Sequence, residues 1–68
     1  MSRLETILWL DKEIDRINEE AVKIGEMLLE ETDIDLIKIL DERLRSLEEK
    51  MSYLQQKISF EKRQFTND

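Results

Sequence analysis

The chain has 68 residues and a formal net charge of −6, with 17 acidic side chains against 11 basic ones. That length holds one small domain, and that charge disfavours binding to nucleic acid, where Lys and Arg supply most of the affinity for the phosphate backbone. With no Cys and no His, disulfides, zinc fingers and imidazole or thiol chemistry are excluded.

From the N-terminus, the first signal is an apolar stripe: Ile7, Leu10, Ile14, Ile17, Ala21, Ile24 and Leu28. Its alternating steps of three and four put every member on one face of an α-helix, the pattern of a coiled-coil seam. The spacing predicts a helix over residues 3–30. Ser2 serves as its N-cap, Glu5 completes a capping box, and the residues up to Arg3 are expected to fray. Gly25 lies inside this helix, where glycine costs about 1 kcal/mol relative to alanine. With Ala21 it makes a small-residue spot suited to close approach of another backbone. Glu26, Glu30 and Glu31 crowd the helix C-terminus, where negative charge opposes the helix dipole.

A second stripe follows: Ile37, Leu40, Leu44, Leu47, Met51, Leu54 and Ile58. From Leu28 to Ile37 a continuous helix would advance about two and a half turns at roughly 3.6 residues per turn. The stripe would then jump to the opposite side of the rod. A turn at residues 31–33 keeps one seam. Thr32 or Asp33 can cap the second helix, with Asp35 in its first turn, and no Gly or Pro is present to mark the bend. The second helix is expected over residues 33–64, with Lys57, Lys62 and Arg63 near its C-terminus and a tail at 65–68.

Folding the chain at the turn pairs Leu28 with Ile37, Ile24 with Leu40, Ala21 with Leu44 and Ile17 with Leu47. Ile14 then meets Met51, Leu10 meets Leu54 and Ile7 meets Ile58. The same register sets Glu20 beside Arg43, Glu13 beside Lys50 and Arg3 near Glu61, charge matches that a slipped register would lose. The fold expected is all-α: an antiparallel, coiled-coil-like two-helix hairpin, forming a single domain.

Many apolar side chains fall outside that seam. Trp9, Tyr53 and Phe60 share one flank near the open end, and Met27, Leu36 and Ile39 share it near the turn. On the other flank Leu4 and Leu8 lie at one end and Val22, Leu29 and Ile34 at the other, separated by Asp11, Asp15 and Asn18. A lone hairpin cannot shield all of these, and a core this small rarely contributes more than about 3–5 kcal/mol without a staple. These flanks are therefore the expected interface, and an antiparallel homodimer forming a four-helix bundle is the expected assembly. Its two-fold axis would bring the acidic turn, with Asp33 and Asp35, to the basic open end of the other copy, with Arg3, Lys57, Lys62 and Arg63.

Residues with chemical potential are few. Asp33-Ile34-Asp35 starts like a calcium loop, but Lys38 and Leu44 stand where an EF-hand needs Gly and Glu. Ser46, Ser52 and Ser59 have no His to activate them. The expectation is no catalytic set, no metal and no cofactor. The longest unbroken apolar run, Ile7 to Leu10, is far too short for a membrane span, and a cytoplasmic protein is expected.

The two-helix layout with Leu40-Asp41 on the second helix resembles the Spo0E-like aspartyl-phosphate phosphatases of sporulating bacteria, which carry a Ser-Gln-x-Leu-Asp motif. The matching positions here read Ile37, Lys38, Ile39, Leu40 and Asp41, so Ser and Gln are both replaced. The resemblance implies a response-regulator phosphatase in which Asp41 is the residue to mutate. A further alternative is a helical bundle that binds RNA, as small copy-control regulators do. The reading that best fits the residues is a small acidic, non-catalytic protein–protein interaction module. It would act as an adaptor, assembly factor, regulator or inhibitor, docking helix faces onto a copy of itself or a larger protein.

Overall fold

A computed structural model of the chain describes residues 2–67. Two helices, α1 (Arg3–Glu30) and α2 (Ile34–Asn67), lie side by side and are joined at residues 31–33. The Cα envelope measures 52 × 17 × 14 Å, a rod one hairpin thick.

Local chemistry sets each helix end. The Ser2 hydroxyl accepts the Glu5 backbone N–H at 3.1 Å and donates to the Glu5 carboxylate at 3.2 Å. Arg3 is therefore helical rather than frayed, because the cap satisfies a donor that helix initiation leaves open. Met1 lies outside the described residues.

At the turn, Glu31 leaves the helix in an extended conformation, φ −79° and ψ 136°, while its N–H still donates to the Met27 carbonyl. Its carboxylate accepts the backbone N–H groups of Thr32 at 3.1 Å and Asp33 at 3.0 Å. Asp33 then caps α2, its Oδ1 accepting from the N–H of Asp35 at 2.9 Å and of Leu36 at 3.4 Å. The cap is Asp33 and not Thr32. No described residue has a positive φ, so the chain reverses without glycine. The N–H groups that a left-handed C-cap would direct onto the last helical carbonyls donate instead to the Glu31 carboxylate.

α2 runs past Gln64 to Asn67. The residues expected as a tail therefore include helical Phe65 and Thr66, with the Thr66 hydroxyl donating to the carbonyls of Lys62 at 3.0 Å and Arg63 at 3.1 Å; Asp68 lies outside the described residues. As a consequence Lys62 and Arg63 lie short of the final turn, which holds no basic residue. The expected pairing of cations with the helix terminus is displaced by about one turn.

The core is a line. Ile7, Leu10, Ile17, Ile24, Leu47, Leu54 and Ile58 are buried, and Ile14, Ala21, Leu28, Leu40, Leu44 and Met51 pack half-buried against them. Leu10 and Ile17 are 1% exposed. Burial is uneven along the rod: α2 has its buried residues at Leu47 and beyond, while Ile37, Leu40 and Leu44 stay half-buried toward the turn. The register follows from two interhelical ion pairs, Arg3 to Glu61 at 3.3 Å and Glu20 to Arg43 at 2.6 Å. Lys50 lies near enough to lower the Glu13 carboxyl pKa through space, as its expected place beside Glu13 requires, but the close ion pair is a local one. Glu13 accepts from Arg16 at 2.8 Å, three residues along its own helix, because that neighbour is reached without bridging the groove.

Candidate functional site

A single layer of two helices shields only the line where they touch. Everything the sequence placed on the flanks is consequently open to solvent. On the first flank, Trp9 is 52% exposed, Tyr53 61%, Phe60 52%, Met27 53%, Leu36 44% and Ile39 60%. The Glu20–Arg43 pair bridges the helices on this flank, and residues three positions after, four positions before and seven positions to either side of each partner share it by helical periodicity. The face thus carries apolar side chains from both helices, with a charged belt between an aromatic end and an aliphatic end. Lys57 adds a cation over the Tyr53 ring, its Nζ 5.9 Å from the centroid.

The second flank is different. Its apolar residues, Leu4, Leu8, Val22 and Leu29, all come from α1, and Leu29 is the most exposed of them at 87%. Ile34, also exposed, sits at the start of α2. Along the rest of α2 this flank is polar. A shallow groove of about 300 Å³ opens here, floored by Ile17, Ala21 and Met51 and rimmed by Asn18, Ser52 and Gln55. Ala21 makes the groove, because its short side chain leaves the seam uncovered at that level. Next to it, a methyl group placed on Gly25 would meet nothing within 4 Å. The close backbone approach expected at this glycine is not made within the chain.

Phe65, 49% exposed, is an apolar surface residue within the stretch expected as a tail. It continues the α2 stripe seven residues beyond Ile58, and that spacing was the signal available for it.

Electrostatics on these faces is local and solvated. Hydrogen bonding from Arg16 holds the Glu13 carboxyl below its ordinary value, and hydrogen bonding from Arg43 does the same for Glu20. Asp41 is exposed on α2, with its Oδ2 3.5 Å from Arg45 Nε. Among the described residues no polar or charged side chain is buried, and no group of three or more acidic residues is placed to hold a metal ion. Among the described residues no helix is long and apolar enough to cross a membrane.

These features define an all-helical hairpin with unshielded apolar flanks. No protein-family model, curated protein sequence or solved structure matches the chain.

Proposed function

We propose that this chain is a small acidic, non-catalytic interaction module. It works as a homodimeric four-helix bundle and docks helix faces onto a larger protein as an adaptor, assembly factor, regulator or inhibitor. The observation that carries this reading is the exposure of large apolar side chains along both flanks, between 44% and 87% of each.

Area gives the argument its scale. A compact monomer of 8.2 kDa exposes about 4,500 Å² by the usual surface–mass relation. This hairpin exposes 5504 Å², an excess of about 1,000 Å², close to the roughly 800 Å² that each partner contributes to a standard interface. A second hairpin laid against one flank removes an area of that size. The other flank, with Leu4, Leu8, Val22 and Leu29, is then left for a different protein.

Sedimentation equilibrium at micromolar concentrations tests the assembly. A dimer is expected, and a folded monomer over that range removes the bundle from the reading. For the docking role, affinity capture with wild-type protein is compared with a Leu8→Asp/Leu29→Asp variant. A specific protein retained by the wild type and lost by the variant is the expected result. Equal recovery by both sinks the assignment of that flank.

A further inference from the structure

We infer that the second copy sits on the flank bearing Trp9, Met27, Leu36, Ile39 and Tyr53, turn against open end, with α1 antiparallel to α1 of the other copy. This rests on the bundle reading above and assigns its face and register.

The α1 side of that flank reads Thr6, Trp9, Glu13, Arg16, Glu20, Lys23, Met27 and Glu30 from the open end to the turn. Read backwards, the same series is complementary to itself. Reversed about the level of Asn18, Trp9 meets Met27 of the second copy, Glu13 meets Lys23 and Arg16 meets Glu20. A two-fold axis makes each meeting twice. Lys23 is exposed and has no ion-pair partner among the described residues, and this arrangement supplies one.

The hairpin's own register then fixes α2. Arg3 pairs with Glu61 and Glu20 with Arg43, so the level of Asn18 on α1 corresponds to Ser46 on α2. Ser46 faces its own copy at the axis, Ile39 comes level with Tyr53, and Leu36 with the methylene stem of Lys57. Arg43 comes level with Lys50, the one like-charge meeting, and is already held by Glu20 at 2.6 Å.

Two alternatives are weaker on the same grounds. Placing turn beside turn brings together Glu26, Glu30, Glu31, Asp33 and Asp35 of both copies, a concentration of like charge that opposes association. Placing the second copy on the other flank lays it over Asp11, Asp15, Arg45 and Glu48 and over the polar-rimmed groove at Asn18 and Ser52. Apolar area is there contributed almost entirely by one helix; Arg45 and Glu48 would find each other, but Asp11 and Asp15 would be desolvated opposite Gly25 and Val22 without matched partners.

The chain has no cysteine, so single-cysteine variants report the face directly. Ser46→Cys is expected to form a disulfide-linked dimer under mild oxidation of the native protein, while Ser52→Cys, on the opposite flank, is expected to stay monomeric on denaturing gels. For register, Lys23→Glu should weaken dimerisation by roughly tenfold relative to Lys12→Glu, which makes the same charge change on the outer face. Adding Glu13→Lys to Lys23→Glu should restore it. A dimer in which Ser46→Cys fails to cross-link, or Lys23→Glu behaves like Lys12→Glu, overturns this face and register and leaves the bundle reading standing. A wild-type protein that remains a folded monomer at high micromolar concentration removes both.

Discussion

Single residues here act through the caps, one glycine and one bridging ion pair. Asp33 accepts two backbone N–H groups at the start of α2, so Asp33→Ala should lower stability by about 1 kcal/mol, as read from denaturant unfolding followed by circular dichroism. Gly25 is free to change in the other direction. Its position is open, and replacing glycine by alanine inside a helix contributes about 1 kcal/mol. Gly25→Ala is therefore expected to raise the unfolding midpoint, and because it lies away from the assigned dimer face it should leave the association constant unchanged. Glu20 carries a pH signature. Its carboxyl is held below the ordinary value of 4.5 by the hydrogen bond from Arg43. The pair's contribution is therefore fully present above that value and is lost as pH falls through the lower folded pKa. Glu20→Gln should be less stable than the wild type at neutral pH, and the two should converge once the pH has fallen below the folded pKa of Glu20. A difference that persists unchanged in acid would mean that the ion pair is not its source.

At the scale of the helices, the controlling fact is the gradient of burial. Leu10, Ile17, Leu47 and Leu54 close the seam from the middle to the open end, whereas Ile37, Leu40 and Leu44 remain half-buried toward the turn. Local opening requires less exposure of new apolar surface where less is covered. Amide hydrogen exchange of the monomer at low concentration should accordingly be slowest around Ile17 and Leu54 and faster across residues 34–44. Uniform protection along α2 would contradict that gradient. The helices were also the part most legible beforehand. Both apolar stripes and the phase break between them follow from spacing alone, and the hairpin folds about the break as expected. Two boundaries were less legible. The extension of α2 through Phe65 and Thr66 lacks the Gly or Pro punctuation that sequence reading relies on. The capping role of the Glu31 carboxylate depends on a backbone that turns extended at that residue.

For the molecule as a whole, shape outweighs any one contact. A rod of 52 × 17 × 14 Å has a seam but no second layer, so the same residues that make it amphipathic leave both flanks wet. If a second copy covers one flank, folding and association are linked, and the thermal midpoint should rise with protein concentration. Differential scanning calorimetry over a hundredfold concentration range measures this, and a midpoint that stays constant would argue that each hairpin is stable alone. The exposed residues of the proposed interface could be read as surplus from the sequence, because they do not fit the seam. The register read from spacing and charge already put apolar groups from both helices on the Trp9 flank, and the ion pairs Arg3–Glu61 and Glu20–Arg43 hold that register.

The sequence by itself determined the two helices, the place where they reverse and the identity of the buried stripe, because helical periodicity is a local property that each segment states without reference to the other. Only the tertiary structure decided which carboxylate caps which helix, that Glu13 makes its close ion pair with Arg16 instead of Lys50, and how incompletely the seam closes near the turn. Those outcomes depend on distances between chain segments, and distances exist only once the two helices lie against each other.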